Sequence, residues 1–292
     1  PHVRLVDVSH EARLPPLDPT ASLLAALVHP LSRDEFMADV WCRRACHWRG
    51  GAASVARADA LASAHLHGGA IAELADDTAS YRINCWLRMP AAVPAAVVAE
   101  DAIDTVKVDD SASALTLHRC GASLYMRAPR AFEDAFLAAV CHGLGMGATA
   151  FYDAHHGTQR SEVEVFASRR GHVTRWHYDF MENFTIQLSG VKQWRLAGGA
   201  SPSPLRGVTP HYKLEPEVVE MQCKAAGLVD PAFAWKPEPA ALESRATTVT
   251  LRPGDIFYFP AGMWHQVECL DDSVSDMLML TESSKHSTWC HM

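Results

Sequence analysis

The chain has 292 residues, a formal net charge of −8, 48% hydrophobic residues and 21% charged residues. These values describe a globular protein of one large domain with an appendage, or of two domains. The acidic balance argues against a general nucleic-acid or acidic-membrane binder. No apolar run reaches the ~18 residues that cross a bilayer, and PHVRLVDVSH lacks a charged region followed by an apolar core, so no signal peptide is expected. Eight cysteines are scattered without CxxC or framework spacing. They read as reduced thiols of an intracellular protein, cytoplasmic or nuclear. The chain starts at Pro1 rather than Met, which leaves room for an upstream segment.

In chain order, residues 1–19 read as a loosely ordered arm carrying Pro15, Pro16 and Pro19, and residues 21–28 are helical in composition. Ser32 and Glu35 form a capping box ahead of a helix carrying Phe36, Val40 and Trp41, expected to run on through Cys42 and Cys46. Cys42, Cys46 and His47 lack a fourth ligand at zinc spacing. Alanine-rich helical stretches follow near 56–66 and 69–76, then a strand at 81–89. Leu115–Arg127 reads as a strand pair broken at Cys120–Gly121, and 130–144 as a helix ended by glycines.

From residue 149 the pattern changes to many short β-prone runs separated by turn signals, which implies a sandwich or barrel such as the jelly roll. The interval 198–245, with a helix near 215–226, reads as an insertion between barrel strands. No internal repeat is visible.

His177 and Asp179 flank Tyr178, so on a strand both side chains face the same way. An imidazole and a carboxylate so placed supply two ligands of a 2-His-1-carboxylate iron site. With 16 His and 19 Asp in the chain, chance alone gives roughly one such pair, so the pair needs support from elsewhere. LRPGDIFYFPAGMWHQVE supplies a third candidate, His265, after a tight turn and a β-prone run. Beyond Asp179, the polar residues Asn183, Thr185 and Gln187 alternate with Phe184, Ile186 and Leu188, so the face carrying the ligands would be lined with hydrogen-bonding groups and the opposite face would pack on the protein. A solvated strand would give the same alternation. Lys192 shares a face with Trp194 and Leu196; if buried there it needs an anionic partner, and otherwise it is a snorkelling surface lysine.

HVTRWHYDFMENFTIQLSGVKQWRL followed by LRPGDIFYFPAGMWH resembles the Jumonji C branch of the iron- and 2-oxoglutarate-dependent oxygenases. The nearest variants are the asparaginyl hydroxylase that inhibits hypoxia-inducible factor, and the ribosomal oxygenases. The resemblance implies a mainly β double-stranded β-helix (jelly-roll or cupin barrel) over 115–292, with a helix-containing insertion at about 198–245. A helix-rich N-terminal region, 1–114, would pack on it. It implies an iron(II) triad of His177, Asp179 and His265, with the cosubstrate 2-oxoglutarate held by Lys192 and Thr174 and flanked by Asn183, with Gln187 as a further matching position.

The implied activity is an iron-dependent dioxygenase that hydroxylates a protein side chain. Alternatives are a metal-binding cupin without 2-oxoglutarate turnover, acting as a binding module, or a hydroxylase or demethylase of RNA, histone or small molecule. One departure is visible: the last barrel strand, SVSDMLML, has Ser, Met and Leu where the hydroxylase has an asparagine near the cosubstrate. Tyr125 and Tyr152 are candidates for the tyrosine some members set against the 2-oxoglutarate carboxylate.

Overall fold

The computed structural model describes residues 3–8, 23–50, 71–88, 103–146, 152–153, 158–159, 161–197, 204, 217, 220–221, 223–224 and 239–280. Among the described residues there are fifteen strands: β1 (Arg4–Asp7), β2 (Cys46–Arg49), β3 (Ile83–Arg88), β4 (Ile103–Val108), β5 (Ser123–Arg127), β6 (Tyr152–Asp153), β7 (Thr158–Gln159) and β8 (Glu162–Ser168), then β9 (Val173–His177), β10 (Glu182–Ser189), β11 (Lys192–Ala197), β12 (Thr247–Leu251), β13 (Ile256–Phe259), β14 (Trp264–Cys269) and β15 (Ser273–Leu280). They make a nine-stranded sheet in the order β1-β2-β13-β10-β15-β8-β5-β3-β4, a four-stranded sheet β12-β11-β14-β9, and a small β6–β7 pair.

Within this set, β8, β10, β13 and β15 make one wall and β9, β11, β12 and β14 the other, and the chain crosses between them at each step except from β11 to β12. Two antiparallel walls fed in turn by one chain form the expected jelly-roll barrel. The segment before residue 115 contributes more than helices. Its strands β1 to β4 extend the large sheet at both ends.

Each face of the large sheet has a different cover. Phe184, Ile186, Ile256 and Tyr258 point outward and pack under helices Leu23–Val28, Arg33–Asp39 and Arg130–Leu144 through Leu27, Phe36 and Phe136. Phe257 and Phe259 point inward against Trp194, Leu196 and Val267 of the small sheet. The alternation read in 183–188 therefore separates two buried faces rather than a buried and a solvated one.

Three local readings are corrected. The capping box at Ser32 forms, but its helix ends at Asp39, with Val40 as C-cap and Cys42 at φ 57°. Cys46 lies on a strand, so Cys42 and Cys46 do not share a helical face. Cys46 enters the core, while His47 points the other way and bonds the buried Asp255 carboxylate at 3.1 Å. Ser111–Arg119 is a helix rather than a strand: Asp110 caps it by accepting from the Ser113 N–H, and Ala114 and His118, one turn apart, are its buried residues. The two-residue alternation of Leu115 and Leu117 masked that helical period. Of the region between β11 and β12, the helix Pro239–Ser244 is described; most of the helix expected near 215–226 and the stretch 56–66 lie outside the described residues.

The turn that launches β11 tolerates only glycine. Gly190 has φ 66°, and a Cβ there would come within 2.1 Å of the Asp272 carbonyl oxygen. Phe36 is fully buried among the rings of Trp41, Trp48, Phe184 and Tyr258, at 5.4–6.2 Å. Phe36→Ala is expected to cost about 3–5 kcal/mol in urea denaturation.

Candidate metal and ligand site

The site is assembled by the register of β9 against β14, which places His265 directly opposite His177. Between the pairs His265–His177 and Val267–Thr174, β14 advances two residues and β9 three. The additional residue is a β-bulge in β9. Strict alternation would turn Thr174 away from His177; with the bulge, both line one cavity. A third tie comes from Gly262, whose N–H donates to the Asp179 carbonyl oxygen at 2.7 Å. Asp179 just after β9 is thereby fixed against the loop leading into β14.

His177, Asp179 and His265 are all buried, and one ligand atom from each lies within 4.8 Å of the others. His265 Nε2 is 3.6 Å from Asp179 Oδ2, and the two imidazole centroids are 4.1 Å apart. The tautomers follow from the backbone. His177 Nδ1 lies 2.6 Å from the Arg175 carbonyl oxygen, and His265 Nδ1 lies 2.9 Å from that of Met263. A carbonyl only accepts, so each ring donates through Nδ1–H and keeps its lone pair on Nε2, as metal-ligating histidines do. Two imidazole nitrogens and a carboxylate in this arrangement fit a divalent first-row metal. Phe259 packs on His265 at 4.7 Å and Trp194 stacks on it at 5.5 Å, fixing the ring.

The cavity beside this triad is partly open to solvent. At its other end Lys192 is 4% exposed. Its Nζ donates to Ser275 Oγ at 2.6 Å and lies 5.4 Å from the Phe166 ring centroid. Lys192 is thus a buried lysine and not a snorkelling one. Ser168 and Thr185 from the large sheet and Thr174 from the small one add hydroxyls to the cavity lining.

Two expected neighbours are engaged elsewhere. Asn183 is fully buried, but its Nδ2 donates to the Met181 carbonyl oxygen and it is not among the cavity's lining residues. Gln187 Nε2 donates to the Ser189 carbonyl oxygen at the β10–β11 turn. Tyr125 donates its hydroxyl to Glu164, and the Tyr152 side chain lies outside the described residues. Ser275, which the sequence reading passed over, is the residue bonded to Lys192; its signal was a polar side chain on the last barrel strand.

Buried titratable groups lie near the site. Burial, then the neighbouring Glu162 carboxylate, pushes Glu164 well above the usual carboxylate range. His172 stacks on Trp86 at 5.3 Å, and Trp86 stacks on Tyr125 at 5.4 Å. Burial, reinforced by Lys192, lowers the His172 pKa from 6.5 to about 4. A histidine with a lowered folded pKa refuses a proton that the unfolded chain accepts, so stability falls as pH drops from about 6.5 toward 4. His172→Phe should keep the ring stack and remove that loss, on the order of 1–2 kcal/mol at pH ~5. Urea denaturation of both proteins at pH ~7 and ~5 measures the difference.

Comparison with known proteins places the chain. A family model described as a cupin-like domain matches residues 110–280, more than half of the chain. Ribosomal oxygenase 1 of Rattus norvegicus is 28% identical over 184 residues, 61% of this chain and 24% of that protein. Ribosomal oxygenase 1 of Gallus gallus is 32% identical over 114 residues, 39% of this chain and 15% of that protein. The chain thus spans about a quarter or less of the length of these curated relatives. The solved structure of E. coli ycfD covers 87% of this chain and 54% of its own, with a TM-score of 0.49 and 15% identity. Among the described residues no helix is long and apolar enough to cross a membrane. With its two barrel walls and its match over residues 110–280, the chain belongs to the family of cupin-like domains.

Proposed function

We propose that this protein is an iron(II)- and 2-oxoglutarate-dependent oxygenase that hydroxylates a side chain of a protein substrate. One observation carries the reading: two imidazoles presenting Nε2 lone pairs beside a carboxylate form one end of a cavity, and a buried lysine forms the other. That pairing suits a metal ion at one pole and a dicarboxylate spanning to the other. The similarity to proteins named ribosomal oxygenases supports both an oxygenase activity and a protein substrate.

In this reading His177 Nε2, Asp179 and His265 Nε2 would hold the metal. The carbonyls of Arg175 and Met263 keep both rings in the ligating tautomer. Lys192 Nζ pairs with the far carboxylate of 2-oxoglutarate, and Ser275 Oγ holds the ammonium in place for it. Thr174 Oγ1, brought to the cavity by the bulge, donates to the same carboxylate. Asn183, held by Met181, serves as a support for the wall rather than as a direct contact. Phe166, Trp194 and Val267 line the cavity with apolar surface and limit the water that reaches it. When bound, iron(II) with 2-oxoglutarate supplies oxygen activation: O2, 2-oxoglutarate and a substrate C–H become succinate, CO2 and C–OH.

The test is anaerobic addition of Fe(II) and then 2-oxoglutarate to the protein. Wild type should develop a visible charge-transfer band, and His177→Ala should not. Lys192→Ala should require about 10–100 times more 2-oxoglutarate for half of its signal, the effect expected of one lost charge-assisted contact. Absence of a band in wild type, or its persistence in His177→Ala, contradicts the reading. A peptide screen by mass spectrometry, seeking a gain of one oxygen atom, then identifies the substrate.

A further inference from the structure

Two polar groups on the cavity wall have no role in the account given so far. Trp194 is 4% exposed and lines the cavity, yet its indole N–H finds no acceptor among the described residues. Thr185 is fully buried and lines the same cavity from the opposite sheet, and its Oγ1 also finds no partner among them. Buried donors in native proteins are overwhelmingly paired, so two orphans converging on one cavity from different walls indicate a ligand that satisfies both. Packing does not require the indole nitrogen. The Trp194 ring already contacts Phe257, Phe259 and His265 at 5.3–5.6 Å, contacts that a phenyl ring would largely keep.

Register fixes the level of Trp194. Lys192 pairs with Cys269, Trp194 with Val267, and Leu196 with His265, which itself pairs with His177. Trp194 therefore lies one step, about 6.6 Å along the strand, from Lys192 on the way to the metal pole. Thr185 reaches that cavity from β10. A dicarboxylate anchored on Lys192 and running to the triad must pass these two groups.

Resting on the dicarboxylate reading, we infer that Trp194 Nε1–H and Thr185 Oγ1–H are hydrogen-bond donors to the oxygens at the 2-oxo-acid end of bound 2-oxoglutarate. Lys192, Ser275 and Thr174 grip one end of the cosubstrate. Trp194 and Thr185 orient the other, on the approach to His177 and His265. The pair supplies binding and orientation and takes no part in proton transfer.

The inference is tested on Zn(II)-loaded protein, which reports binding without turnover. The indole N–H resonance of Trp194, identified as the one missing from Trp194→Phe, should move downfield when 2-oxoglutarate is added to wild type. Calorimetric titration should show 2-oxoglutarate bound about tenfold more weakly by Trp194→Phe and by Thr185→Val, with Zn(II) affinity unchanged in Thr185→Val. A stationary resonance, or wild-type affinity in both variants, overturns the inference while leaving the dicarboxylate reading intact. Failure of wild type itself to bind 2-oxoglutarate overturns both. The resonance shift and Thr185→Val each decide the matter if Trp194→Phe does not fold.

Discussion

The pairing of β9 with β14 is the constraint on which the rest of the molecule depends. It brings His265 opposite His177 from 88 residues away, and the hydrogen bond from Gly262 to the Asp179 carbonyl closes the same junction. A one-residue slip in that register would turn His265 to the other face and dissolve the cluster. The large sheet, its helical cover and the glycine turn before β11 all act to hold this small sheet in place. Core packing of Phe257, Phe259 and Trp194 between the walls converts a local register into a rigid site.

Polarity within the barrel is divided between two ends. Near the triad, backbone carbonyls decide which imidazole nitrogen carries the proton. At the far end a buried ammonium rests on a serine hydroxyl and an aromatic face, a setting in which a carboxylate ligand gains from low local dielectric. Between them lie apolar side chains with two donors, Trp194 Nε1–H and Thr185 Oγ1–H, that find no partner among the described residues. Such a cavity specifies the length and the charge of what fills it more than it specifies the macromolecule acted upon.

Much of this was legible in the residues. The His177–Asp179 spacing, the PGD turn ahead of His265 and the placement of Lys192 all report strand geometry, in which side-chain direction follows directly from numbering. What numbering hid was departure from that geometry. The bulge in β9 carries Thr174 onto the face of His177, against simple parity. Ser275 matters through a contact between two sheets, which no local pattern encodes. The helix Ser111–Arg119 was masked by a two-residue alternation of leucines, and Asp110 was the overlooked start signal. Of the N-terminal strands, β3 was read and β1, β2 and β4 were not, because they contribute short, mixed stretches to a sheet whose pattern is set elsewhere.

The central claim is that one cavity holds a metal at the His177–Asp179–His265 end and a dicarboxylate reaching from Lys192 to that metal. Thermodynamic linkage addresses it most directly, through calorimetric measurement of 2-oxoglutarate affinity with and without Mn(II). Markedly tighter binding in the presence of Mn(II) is expected for wild type, with the coupling lost in His265→Ala. Equal affinity with and without the metal in wild type would contradict a shared cavity.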